Sequence, residues 1–165
     1  MIFGNVWKFG DGIDTDIIIP ARYLVLPLKE MKHKTMEPID PEFAAKVKKG
    51  DIIVAGKNFG CGSSREQAPA VLKALGISAI VAVSFARIFF RNAINLGIPV
   101  IECDKIQDHI QTGNNIEIYP ESGDIITPET KRNFSGSTLP DFLMEIVEAG
   151  GLIPHLAAKA KSSAT

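Results

Sequence analysis

The sequence predicts an α/β fold, a central largely parallel sheet flanked by helices, and three observations carry this. First, Ile52–Ala55 and Ala79–Val83 are short apolar runs, each followed by a loop and a segment of helical spacing. Second, strand-like and helix-like segments alternate through Ile101, as parallel βαβ units with right-handed crossovers require. Third, 165 residues with 45% hydrophobic and 22% charged content suffice for one domain with a sizeable core.

The elements follow in order. Ile2–Phe9 alternates loosely and reads as a strand, closed by the turn signal Gly10-Asp11-Gly12. Asp14-Thr15-Asp16 leads into Ile17-Ile18-Ile19, stopped by Pro20. Arg22–Pro27 is neither cleanly helical nor cleanly strand. Lys29–Pro41 is polar and reads as a mobile loop with at most a short helix. Glu42–Lys49 is expected to be a short helix, with Phe43 and Val47 on one side and Gly50 at its end. After strand Ile52–Ala55 comes a glycine-rich turn, then a helix from Glu66 to Leu75 with Ala68, Val71, Leu72 and Leu75 at helical spacing. A second helix spans about Ile88–Leu96, and Ile98–Ile101 is the next strand. Asn115–Tyr119 and Asp124–Thr127 read as strands joined at Pro120–Gly123. Pro140–Ala149 is a helix followed by Gly150-Gly151. The organisation expected is one domain over 1–156 and a frayed Ala/Lys/Ser tail over 157–165.

Net charge is −1, so no global field attracts nucleic acid or a membrane surface, and any anion site must be local. No signal pattern opens the chain and no apolar run approaches ~18 residues, so a cytoplasmic protein is expected. Cys61 and Cys103 belong to no CxxC or His-paired pattern, so no metal site is expected on this chain.

The densest chemistry lies in Gly60-Cys61-Gly62-Ser63-Ser64-Arg65-Glu66. Glycines admit close backbone approach. A helix start offers unpaired N–H groups and partial positive charge. The arginine fork suits a carboxylate or phosphate. Small-anion capture beside a serine hydroxyl is the chemistry this permits. On spacing alone, a tight strand–helix connection explains the same residues equally well. Ser64 alone reads as an N-cap, and Asp14 and Asp16 alone read better as turn caps. Cys61 reads as a small residue in a tight turn, and Cys103 as a buried or edge apolar residue. The Ser84–Arg87 segment also follows a strand, so it should share the rim of the glycine motif.

Gly56–Glu66 resembles the signature of the aconitase superfamily's mobile swivel domain. Asp11–Ile18, Ser84–Phe89 and Asn92–Gly97 resemble its neighbouring blocks, in the same order and at similar spacing. The resemblance is strong from Phe3 to Ile101 and looser to Pro154. A chain holding this domain alone is similar to the separate small subunits of isopropylmalate dehydratases and homoaconitases. The family implies a two-chain hydro-lyase that removes and re-adds water across adjacent carbons, in leucine biosynthesis for the first of these. It implies a large-subunit partner whose cysteines hold a 4Fe-4S cluster, with no cofactor bound by this chain, and a small dicarboxylate substrate. By resemblance, Ser63 is the catalytic serine, while Gly62, Ser64 and Arg65 bind substrate carboxylate. Asp16 is the second catalytic residue, pairing with a histidine of the large subunit. Arg87 is implied only in a supporting role.

The loop after Asp16 reads the variable group of the substrate in this family. Here it is Tyr23-Leu24-Val25-Leu26, where homoaconitases carry arginine in place of Val25. An apolar tip covers an isopropyl group, worth ~1.5–3 kcal/mol, but strands a carboxylate at greater cost. That favours an isopropylmalate, with a broader alkylmalate or citramalate isomerase or a homoaconitase subunit as alternatives. Arg22 directly precedes this loop, and a local shift would bring it to the pocket. A non-catalytic anion-binding module that regulates a partner is the alternative of another class. Self-association of the isolated chain is a further expectation.

Overall fold

The computed structural model describes residues 1–164. Its strands are β1 (Ile2–Lys8), β2 (Ile52–Ala55), β3 (Ala79–Ala82), β4 (Val100–Glu102), β5 (Asn115–Tyr119), β6 (Asp124–Thr127) and β7 (Arg132–Ser135). Its helices are α1 (Thr15–Ile18), α2 (Leu28–Met31), α3 (Phe43–Lys46), α4 (Gln67–Ala74), α5 (Arg87–Asn95), α6 (Asp141–Glu148) and α7 (Leu152–Ser163). The strands form one sheet in the order β4-β3-β2-β1-β5-β6-β7. The block β4-β3-β2-β1 is parallel, with Val6 opposite Ile52 and Ile53 opposite Ile80. On the other side of β1 the pairing becomes antiparallel, with Gly4 opposite Ile116 and Ile118 opposite Ile125. The α/β architecture holds, as a mixed sheet with its parallel part where the βαβ alternation placed it.

Period-two geometry sends alternate residues of β2 and β3 to opposite faces. Ile53, Ala55, Ile80 and Ala82 meet Ala68, Val71 and Leu72 of α4 and Phe89, Ala93 and Ile94 of α5. Ile52, Val54, Ala79 and Val81 meet Ile106 and Ile110 from the connection after β4, together with Ile116, Ile118 and Ile125. The helices thus gather on one face, and the opposite face is closed by the antiparallel strands and that connection. At ~1.5–3 kcal/mol per buried aliphatic side chain, both faces contribute to holding the strand ends.

Several expectations are corrected. Lys29–Pro41 is folded against the body through α2 and a 3-10 turn at Lys32–Lys34. Two methionines anchor it: Met31 and Met36 are buried, and the Met36 N–H donates to the Ile18 carbonyl at 2.9 Å. Two isolated apolar residues leave no periodic signal in a polar stretch. The expected helix at Glu42–Lys49 is a single turn, because Val47 is already extended. Strand β7 escaped the sequence reading: it is a polar edge strand in which Phe134 alone is half-buried. The tail is helical to Ser163 rather than frayed, built from alanine and lysine, both strong helix formers; Thr165 lies outside the described residues. Lys73 Nζ donates to the carbonyls of Leu96 and Gly150, closing the ends of α5 and α6 together.

Candidate functional site

The rim at the carboxyl ends of β2 and β3 is assembled by backbone hydrogen bonds between segments distant in sequence. Lys57 N–H donates to Asp11 Oδ1 and Gly12 N–H to the Lys57 carbonyl, each at 2.8 Å. Gly60 N–H donates to the Ile13 carbonyl and Thr15 N–H to the Cys61 carbonyl, again at 2.8 Å. Asn58 N–H donates to Ser84 Oγ at 2.9 Å, and Phe59 and Phe85 form a parallel bridge. The three sequence blocks therefore meet on one rim, as their positions after strands required. Gly60 is indispensable to this seam. Its φ is +79°, and a Cβ there would lie 2.1 Å from the Phe89 ring.

Beyond the seam, Gly62, Ser63 and Ser64 are exposed. Helix α4 begins at Gln67, with Glu66 at its cap and no side-chain capping bond. Ser64 is thus not the N-cap, and both serines stand in the loop ahead of the helix. Asp14, by contrast, caps α1: its Oδ1 accepts from Ile17 N–H at 2.8 Å.

Arg65 and Asp16, 49 residues apart, form an ion pair. Arg65 Nη1 donates to Asp16 Oδ1 at 3.1 Å and to the Ile19 carbonyl at 2.9 Å. Asp16 Oδ1 also accepts from Ala21 N–H at 3.1 Å. The Arg65 hydrogen bond, with that N–H second, holds the Asp16 carboxyl below the ordinary carboxylate range. The Arg65 side chain is only 15% exposed, so its orientation is set by these contacts. One carboxylate oxygen thereby links the serine loop to the chain leading into Tyr23–Leu26.

In that segment Tyr23, Leu24 and Leu26 pack against the helix-side core, while Val25 is 88% exposed. Arg22 does not stand free. Its Nη2 donates to Glu37 Oε1 at 3.0 Å, and the Tyr23 hydroxyl donates to the same oxygen at 2.5 Å. These bonds, Tyr23's first, hold the Glu37 carboxyl below its ordinary range. Glu37 was not legible from sequence, since it lies in the polar stretch 15 residues after Arg22 with no pattern to mark it. Ser84, whose hydroxyl and carbonyl both receive N–H groups of the glycine loop, lay inside a matching block but carried no signal of its own.

Cys61 sits in the turn, and Cys103 is buried with its thiol 3.9 Å from the Ser135 carbonyl; burial pushes that thiol's pKa up. Among the described residues, no three His, Cys, Asp or Glu side chains gather as metal ligands. No helix among them is long and apolar enough to cross a membrane. Arg87 is exposed and lines a cleft of about 330 Å³ with Phe85, Phe90 and Arg91, beside the seam.

Known proteins share this sequence and fold. The model of the aconitase C-terminal domain matches residues 23–105. The isopropylmalate/citramalate isomerase small subunit of Methanocaldococcus jannaschii is 54% identical over 164 residues, covering 99% of this chain and 98% of that protein. The 3-isopropylmalate dehydratase small subunit of Halothermothrix orenii is 53% identical over 154 residues, 93% of each chain. A crystal structure described as 3-isopropylmalate dehydratase from Methanocaldococcus jannaschii superimposes with a TM-score of 0.92 at 43% identity, covering 99% of this chain and 97% of that one. The chain therefore belongs to the aconitase family, among the small subunits of 3-isopropylmalate dehydratases, which are hydro-lyases.

Proposed function

We propose that this chain is the serine-bearing, substrate-recognising subunit of a two-chain hydro-lyase that interconverts 2-isopropylmalate and 3-isopropylmalate through 2-isopropylmaleate, a step of leucine biosynthesis. The observation that carries the reading is the rim itself. The glycine seam, the Arg65–Asp16 link and the Val25 tip are tied into one unit, with Ser63 and Ser64 exposed on it.

Ser63 acts as the base. Its alkoxide takes the proton from the carbon next to a carboxylate, and in the reverse direction its hydroxyl returns that proton. Neighbouring positive charge and N–H donors stabilise the alkoxide. Both Nη1 hydrogens of Arg65 go to Asp16 and Ile19. The Nε–Nη2 edge is then the fork offered to a substrate carboxylate, with Ser64 and the backbone at Gly62 beside it. Asp16, charged and 66% exposed, remains available to a histidine of the large subunit. The large subunit would hold a 4Fe-4S cluster, which would supply Lewis acidity toward the substrate hydroxyl. Val25 covers the substrate's alkyl group.

The test is anaerobic hydration of 2-isopropylmaleate, followed by ultraviolet absorbance, with this chain, a cluster-loaded large subunit, and both. Activity only in the mixture is expected. No activity with an intact cluster and a formed complex sinks the proposal and favours a regulatory module. A second reading, broader use of alkylmalates, is favoured by the relative named for citramalate as well. Hydration of 2-methylmaleate at a comparable kcat/KM would establish it. Exchange of Val25→Arg should shift preference toward cis-homoaconitate, and an unchanged ratio would refute the assignment of the tip.

A further inference from the structure

We infer that Glu37 is a specificity-determining positioning residue: by holding and neutralising the Arg22 guanidinium, it leaves Tyr23–Leu26 an apolar face toward the substrate and disfavours ligands with a distal carboxylate. The inference rests on the proposed role of Tyr23–Leu26 in substrate recognition.

The chain from Pro20 to Leu26 winds in successive turns. Tyr23 N–H donates to the Pro20 carbonyl at 3.0 Å, Leu24 N–H to Ala21 at 3.1 Å and Leu26 N–H to Tyr23 at 3.0 Å. The 3-10 turn covers Ala21–Tyr23 with Leu24 as its cap, and Val25 follows directly, three residues after Arg22. Val25 is 88% exposed and the Arg22 side chain 66% exposed. An apolar tip and a guanidinium are thus both exposed on one short segment, and a free guanidinium there would pair bidentately with a carboxylate.

Glu37 removes that option. Its Oε1 accepts from Arg22 Nη2 and from the Tyr23 hydroxyl, and the Arg22 guanidinium lies 4.6 Å from the Tyr23 ring centroid. Lys34 converges on the same group, with Nζ 3.7 Å from Glu37 Oε2 and 5.3 Å from the Tyr23 ring. Both cations of this neighbourhood are drawn onto Glu37 and Tyr23. The carboxylate is carried next to Met36, whose fully buried side chain and bond to the Ile18 carbonyl fix the turn. An exposed ion pair contributes little to stability, so the consequence of this contact lies in where it holds Arg22.

The test compares hydration of cis-homoaconitate and 2-isopropylmaleate by the enzyme reconstituted with its large subunit. Glu37→Gln is expected to raise the kcat/KM ratio for cis-homoaconitate over 2-isopropylmaleate at least about tenfold, mainly through KM. Adding Arg22→Gln should return the ratio to the wild-type value. The unfolding midpoint of Glu37→Gln should stay near wild type, and Glu37→Met serves if the glutamine variant does not fold. If the ratio is unchanged by Glu37→Gln but shifted by Val25→Arg, this inference falls and the segment's role stands. If neither variant shifts it, the reading of the segment falls. A gain that survives Arg22→Gln assigns the effect to the Glu37 charge alone and also overturns the inference.

Discussion

The parallel and antiparallel halves of the sheet share strand β1 yet bury their residues differently. Every residue of β2 and β3 is buried, because helices cover one face and the antiparallel strands with Ile106 and Ile110 cover the other. In β5 and β6 buried and half-buried residues alternate, and β7 is mostly exposed. The site sits on the half that is clamped from both sides. Its loops leave strand ends that cannot shift without disturbing two cores, which suits groups that must be held in place for chemistry.

Exchanges on the two halves test that difference. The largest contrast is expected in turnover. Ser63→Ala should lower kcat of the reconstituted enzyme by about 10²–10⁴-fold with assembly preserved, whereas Asn133→Ala on exposed β7 should leave it unchanged; steady-state hydration rates decide this. Next is stability. Ile80→Ala, fully buried in β3, should cost about 2–5 kcal/mol. Phe134→Ala, half-buried on β7, should cost roughly 1–2 kcal/mol. Urea midpoints measure both, and equal losses would erase the distinction. Two glycines sharpen it further. Gly60→Ala combines positive φ with a clash against Phe89 and should cost about 2–4 kcal/mol. Gly113→Ala has positive φ but open space around it, and about 1 kcal/mol is expected.

The smallest effect concerns the link between loop and segment. The Asp16 pKa is depressed in the fold, so its stabilising contribution is complete above the ordinary value of about 3.9. It is lost as pH falls through the lower folded value. Carboxyl carbon NMR should place the Asp16 midpoint below that ordinary value, and Arg65→Gln should bring it back up. An unshifted midpoint would mean that the pair does not form in solution.

The comparison also explains what was legible. The glycine rim was readable because its requirements are local: Gly60 and Gly62 take positive φ, and the apolar runs before and after them are strands and helices by their own periodicity. Strand β7 was not, since Arg132, Asn133 and Ser135 are polar and only pairing with β6 makes them a strand. The anchoring of Lys29–Pro41 was missed for a similar reason: Met31 and Met36 show their burial only when docked. At the candidate site, Ser63, Ser64, Arg65, Asp16 and the Tyr23–Leu26 segment all stand out in the sequence. The bond between Arg65 and Asp16, and the capture of Arg22 by Glu37, do not.

Sequence by itself determined the elements of the parallel half, the order of the three blocks and the family, because strand periodicity, turn glycines and a dense motif are written in neighbouring residues. Only the tertiary structure decided which charges neutralise one another and which side chains remain facing outward. Arg65 with Asp16 and Arg22 with Glu37 are separated by 49 and 15 residues and obey no repeat. Their pairing follows from where the β1 exit, the glycine loop and the Met36 turn come to rest on a common core.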